Sequence, residues 1–203
     1  MAAQSAFADW FWGHWHVLLT VSNIAWMASE AWIFARDWRS VRGTSQDRFS
    51  LPVIVGAVIV SVAAAIWCTN HLAFARLPDG DLGAIRFAAG LVLMWLGIGL
   101  RQWAVATLGG LFRTTVVVQA DHQLVTRGPY RWLRNPSYTG AMITVFGQGL
   151  TFGNWVALVV LVGGVLSALV WRIAVESRAL RSHFGEAYEA YAKRSWALIP
   201  GVW

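Results

Sequence analysis

The sequence predicts an all-α integral membrane protein of about five transmembrane helices, with an arginine-rich loop and a C-terminal amphipathic helix on one side. Three observations predict it. Of 203 residues, 57% are hydrophobic and only 13% charged, too apolar a composition for an ordinary soluble domain. The apolar residues form runs long enough to cross a bilayer. Many of the 14 tryptophans fall at the ends of those runs, where an amphipathic ring prefers the membrane–water interface. Trp10, Trp12, Trp15, Trp38, Trp103, Trp155 and Trp171 read as interfacial anchors, whereas Trp26, Trp67 and Trp95 fit core packing equally well. The length allows one compact domain. The single cysteine, Cys68, sits inside an apolar run and excludes an internal disulfide framework. No basic segment precedes the first apolar stretch, so no cleavable signal peptide is expected.

The first span is expected at 15–36, the second at 51–73 and the third at 84–104. The fourth, 136–151, is short; at about 1.5 Å per residue it reaches roughly 24 Å. Asn135-Pro136 reads as its start, asparagine as N-cap and proline at the first helical position. It pairs with the fifth span, 154–174, as a hairpin through Phe152-Gly153-Asn154. Beyond it, Leu180, Phe184, Tyr188 and Tyr191 recur at helical spacing, which predicts an amphipathic helix over 175–195. Gly90, Gly97, Gly99 and Gly163-Gly164 suit close helix packing rather than ligand binding.

Arginine and lysine set the orientation. Fourteen lie in 36–50, 101–136 and from 172 onward, against Arg76 and Arg86 on the other side. By the positive-inside tendency the N-terminus lies outside and the C-terminus in the cytoplasm. This also accounts for the net charge of +6, so no nucleic-acid partner is expected.

The loop 105–136 is the longest polar stretch, and its part 124–140, LVTRGPYRWLRNPSYTG, is basic and rich in turn formers. Val116-Val117-Val118 suits a short strand or a packed loop. The start of the fourth helix presents backbone N–H groups to this loop; it is either a plain capped start or a site for a carboxylate or phosphate. Arg172 and Glu176 are four apart and share one helix face. They form either a simple interfacial ion pair or a divided site, the arginine holding an anion and the glutamate a cationic or hydroxyl-bearing group. Glu30 either lines an internal cavity or snorkels toward Arg36 and the interface, and the second is favoured. The histidines, 14, 16, 71, 122 and 183, are scattered, so no metal is predicted. No glycine-rich nucleotide-binding motif is present.

Several of these pieces stand in a familiar order. VVQ (117–119), HQLV (122–125), GPYRWLRNPSYTG (128–140), RIAVE (172–176), L-x-x-x-F-G-E-A-Y-x-x-Y (180–191) and ALIPG (197–201) resemble the isoprenylcysteine carboxyl methyltransferase family and its phospholipid methyltransferase relatives. The resemblance implies an integral membrane enzyme that uses S-adenosylmethionine, with its cofactor-binding, catalytic half in 105–203; with the three apolar spans of 1–104 this makes a single domain, 1–203. It implies cofactor contacts at Gln119, His122, Gln123, Leu124, Val125, Tyr130, Asn135, Pro136, Ser137, Tyr138 and Glu176, and a substrate-side role for Arg172, with Arg172 and Glu176 as the catalytic pair. Asn135 replaces the histidine of eukaryotic members and can still donate and accept hydrogen bonds.

The expected reaction is methyl transfer to a lipophilic small-molecule or lipidated substrate, with membrane lipids as further partners. A carboxylate of the isoprenylcysteine kind fits best, because it is ionised at neutral pH and needs no base. A thiol or a phospholipid amine is the alternative; a sterol-type membrane reductase and a non-catalytic membrane ligand-binding protein are the rivals. A bacterial inner membrane is the expected location.

Overall fold

A computed structural model of the chain describes residues 6–38, 50–112 and 124–203. Six α-helices carry the fold: α1 Ala6–Trp38, α2 Ser50–His71, α3 Gly80–Leu108, α4 Pro136–Thr151, α5 Trp155–Phe184 and α6 Glu186–Lys193. Short 3-10 turns follow α2 and α3 and precede α4. Among the described residues extended pairing is confined to two isolated bridges, Arg76 with Asn154 and Leu133 with Trp196.

The chain is an integral membrane protein, and four described helices (α1, α2, α3 and α5) are long and apolar enough to span the bilayer. Their apolar windows have mean hydropathy of 1.3 to 2.3. α4, with 16 residues, is the short one and is held between α3 and α5. The order across the bundle is α1, α3, α4, α5, α2.

Backbone contact explains how α3 and α4 pack. Gly90 faces Gly147 and Gly97 faces Gly140, a glycine pair every seven residues along two antiparallel helices. A Cβ on Gly97 would lie 2.5 Å from the Gly140 carbonyl oxygen, and one on Gly147 would lie 2.5 Å from that of Gly90. Without a hydrophobic drive between helices in lipid, such close approach supplies the attraction. Gly164 serves similarly against Ser61, but Gly99 and Gly163 face open space, so the packing role expected for those two is not seen.

On α5, Ala157, Leu161, Val165, Leu169 and Ile173 form one buried stripe at helical spacing, and Arg172 lies at its end. The stripe packs with Ala65, Cys68 and Val145 of α2 and α4. The α4–α5 hairpin turns at Gly153, which takes φ +62°, a conformation glycine adopts without strain. Asn154 caps α5 by accepting from Ala157 N at 3.0 Å. Its amide also donates to the Leu72 carbonyl at 3.1 Å, fixing the end of α2.

Three expectations are corrected. The helix expected at 175–195 is instead a continuation of α5 to Phe184, because nothing interrupts the helix before Gly185. Gly185, at φ +51°, then reverses the chain into the separate, shorter α6. Glu30 does not reach Arg36, which stacks over Trp32; it pairs with Arg101 of α3. Trp67 and Trp95 are exposed on the bundle surface rather than packed in the core. Asn135 occupies the N-cap position of α4 but makes no capping bond with its side chain. The short strand considered for 116–118 lies outside the described residues.

Candidate active site

The site is built on the first turn of α4 and the inner part of α5. Arg172 is fully buried. Its Nε donates to Glu176 Oε1 at 2.7 Å and to the Tyr138 hydroxyl at 3.2 Å. The Tyr138 hydroxyl in turn donates to Glu176 Oε1 at 2.7 Å. One turn of α5 and one turn of α4 thus share a closed polar triangle. Glu176 remains partly open, its side chain 22% exposed. A buried guanidinium is costly to hold unless its partners are fixed around it.

A second pair flanks the same turn. Arg101 of α3 grips the Glu30 carboxylate through Nε at 2.6 Å and through its second terminal nitrogen at 2.7 Å. Its remaining nitrogen donates to the Ser137 hydroxyl at 2.9 Å and to the Ser137 carbonyl at 3.3 Å. Consecutive residues Ser137 and Tyr138 are therefore held by two different arginine–glutamate pairs.

The loop before α4 is fixed by the C-terminal segment. Arg134 donates from its guanidinium to the Ala192 carbonyl at 2.7 Å and to the Ser195 carbonyl. Tyr191 donates to the Tyr130 carbonyl at 2.7 Å, and the Asn135 amide to the Ala197 carbonyl at 2.8 Å. Thr139 donates to the Leu198 carbonyl at 2.7 Å. Tyr130 is buried in the 3-10 turn Gly128–Arg131. Burial pushes its phenol well up, Tyr191 and Glu176 add to this, and Arg101 opposes it. Burial likewise pushes the Tyr191 phenol up to about 12. Beside the loop, on its α6 side, lies a cavity of about 460 Å³ lined by Thr126, Arg131, Trp132, Tyr191 and Arg194. None of the residues expected at the site lines this cavity, and the Arg172–Glu176 pair stands apart from it; the triangle defines the chemistry better than the cavity does.

Of the expected site residues, Tyr138, Arg172 and Glu176 are in direct contact. Pro136 and Ser137 are buried in the same turn of α4, and Tyr130 is within electrostatic reach of Glu176. Leu124 and Val125 are half-buried just before the 3-10 turn. Asn135 is beside the turn, with its amide committed to the tail. Gln119, His122 and Gln123 lie outside the described residues. Glu30 and Arg101 were not foreseen as site neighbours. The signal was opposite charges at the inner ends of two apolar spans, which lipid drives to pair. Among the described residues no group of three or more His, Cys, Asp or Glu side chains stands together to hold a metal.

The sequence profile of the phospholipid methyltransferase family matches residues 85–187, just over half of the chain. The chain belongs to the phospholipid methyltransferase family. The matched stretch takes in most of α3, the loop, α4 and α5, and so the whole Tyr138–Arg172–Glu176 triangle and the Arg101 and Ser137 side of the second cluster. Within reach of this family member is the protein-S-isoprenylcysteine O-methyltransferase of Schizosaccharomyces pombe, 34% identical over 138 residues, covering 64% of the chain and 56% of the relative. The Rattus norvegicus protein of the same name is 37% identical over 122 residues, covering 57% of the chain and 41% of the relative. The chain thus spans about half the length of these curated relatives. A solved structure of the eukaryotic intramembrane Ras methyltransferase, an isoprenylcysteine carboxyl methyltransferase, superposes with a TM-score of 0.57 at 26% identity, covering 74% of this chain and 53% of that one.

Proposed function

We propose that this family member transfers a methyl group from S-adenosylmethionine to the carboxylate of a lipophilic acceptor, with an isoprenylcysteine-like compound as the acceptor class. The observation that carries this reading is the buried Arg172, bonded to Glu176 and Tyr138 at the first turn of α4. The relatives named for methylation of isoprenylcysteine support the acceptor class.

The donor set suits the cofactor. Glu176 offers a carboxylate to an ammonium or ribose hydroxyl, and the start of α4 offers its positive helix end to a carboxylate. Leu124 and Val125 offer an apolar surface to a purine, next to Tyr130. Bound there, S-adenosylmethionine supplies an electrophilic methyl on a sulfonium, whose charge is dispersed as the acceptor oxygen attacks. Arg172 orients the acceptor carboxylate through its planar fork. Tyr138 keeps Arg172 and Glu176 in register, and the apolar stripe of α5 beyond Arg172 keeps water away. Displacement of this kind needs alignment more than proton transfer, because a carboxylate acceptor is already ionised at neutral pH. The arginine-rich end faces the cytoplasm, where the soluble cofactor is available, and the acceptor arrives sideways from the bilayer.

The test is to incubate purified protein with methyl-labelled S-adenosylmethionine and either a prenylcysteine analogue or a lipid extract. Label in the prenylcysteine that is released as methanol by mild base marks a methyl ester and supports the reading. Base-stable label on a thiol or a phospholipid amine overturns the carboxylate assignment while keeping methyl transfer. No transfer and no binding of S-adenosylhomocysteine overturns the proposal.

A further inference from the structure

Glu30 belongs to α1, outside the stretch that matches the family profile. Pairing with Arg101 ties α1 to α3. Two features argue for more. First, α1 is already tied to α3 in register. Trp95 Nε1 donates to Ser22 at 3.1 Å and the Gln102 amide to Ser29 at 2.7 Å, both across a sequence offset of 73. Glu30–Arg101 has an offset of 71 and is not needed to set that register. Second, the guanidinium does not end at Glu30. Glu30 takes one edge of the fork, and the remaining nitrogen is turned onto both the hydroxyl and the carbonyl of Ser137. Ser137 is the neighbour of Tyr138, which closes the Arg172–Glu176 triangle.

We infer that Glu30 and Arg101 are positioning residues: α1 aims Arg101, and Arg101 sets the first turn of α4 on which Tyr138 meets Arg172 and Glu176. This inference rests on the methyl-transfer reading for its effect on turnover, but not for its effect on the turn. A planar fork with one edge fixed by a carboxylate has little freedom left at its other nitrogen. Loss of the Glu30 charge frees the fork, and Ser137 loses an oriented donor. A shift of the turn by a fraction of an ångström then misaligns Tyr138, and alignment is what the reaction depends on.

The experiment compares wild type, Glu30→Gln and Arg101→Lys in nanodiscs. Arg101→Lys keeps an ion pair but loses the fork, so it serves if Glu30→Gln folds poorly. The first readout is hydrogen exchange at the Tyr138 and Thr139 amides, which donate to the Asn135 carbonyl at 3.0 Å. Both variants should speed exchange there at least about tenfold, with the α5 amides unchanged. The second readout is kcat per folded molecule with a prenylcysteine acceptor. It should fall about tenfold or more in Glu30→Gln, and by less in a Ser137→Ala background, which keeps only the contact to the Ser137 carbonyl. Unchanged exchange at the turn overturns the inference whatever the activity. Faster exchange with unchanged kcat, or equal losses in both backgrounds, overturns the positioning role and leaves a tie between helices. If the wild type transfers no methyl group, the proposed activity fails and the exchange readout alone decides whether the pair sets the turn.

Discussion

Arg172 presents its Nε to two oxygens, one on Glu176 and one on Tyr138, and it does so without exposure to solvent. An arginine so placed either binds an anion or steadies a helix end, and substitution separates the two. If it orients the acceptor, Arg172→Ala loses methyl transfer while keeping affinity for S-adenosylhomocysteine. Arg172→Lys recovers little, because a point charge cannot replace a fork. Near-normal turnover in the alanine variant, measured beside cofactor affinity on the same folded sample, refutes the catalytic role. Glu176 should act on the other ligand: Glu176→Ala should weaken S-adenosylhomocysteine binding at least about tenfold, about 1.4 kcal/mol, by calorimetry. An unchanged affinity removes Glu176 from the cofactor side. The pairing of Arg172 with Glu176 was legible from their spacing of four on a helix. Tyr138 as the third member was legible only through family resemblance, because its partner lies 34 residues away in the chain. Glu30 with Arg101, 71 apart, left no local pattern to read beyond charge in an apolar run.

At the scale of elements, helix existence was legible because apolar runs in lipid must satisfy their backbone internally. Helix ends were less so: hydropathy marks where a helix leaves the bilayer, not where it stops. α5, at about 45 Å for its 30 residues, outruns a hydrocarbon core of roughly 30 Å and ends only at Gly185. The glycine seam between α3 and α4 makes a contrast between neighbours. Gly97→Ala places a methyl group against the Gly140 carbonyl and should destabilise by about 1–3 kcal/mol. Gly99→Ala meets nothing within 4 Å and should change thermal stability by less than about 1 kcal/mol. Equal effects on melting temperature would contradict the seam. The contact of α6 with the loop carries a pH dependence. Tyr191 donates its hydroxyl proton to two carbonyls, and its pKa rises from the usual 10 to about 12. A raised pKa favours the protonated form in the fold. Its contribution is therefore complete below pH about 10 and is lost as pH rises through about 12. The stability advantage of wild type over Tyr191→Phe should narrow across that window by on the order of 2 kcal/mol, followed by denaturation at each pH. A constant difference would show that the hydroxyl does not carry this contact.

At the scale of the whole molecule, charge asymmetry fixes the expected orientation. Fourteen arginines and lysines fall in the sequence stretches 36–50, 101–136 and 172 onward, against Arg76 and Arg86 between the second and third spans. A reporter fused after Trp203 should be active only in the cytoplasm, and activity outside would invert the topology. Both polar clusters lie toward the arginine-rich end, so an inverted chain would present its site to the wrong compartment for a soluble cofactor. One feature of the loop before α4 bears on how the molecule comes into being. Arg134, Asn135 and Thr139 are held by carbonyls of Ala192, Ala197 and Leu198, residues made after α5 is complete. The bilayer-crossing helices are therefore complete in sequence before the partners of the loop are. A chain cut after α5 would keep every one of those helices while the loop before α4 goes without its clasp, so this fold can lose the setting of its loop without losing its seat in the membrane.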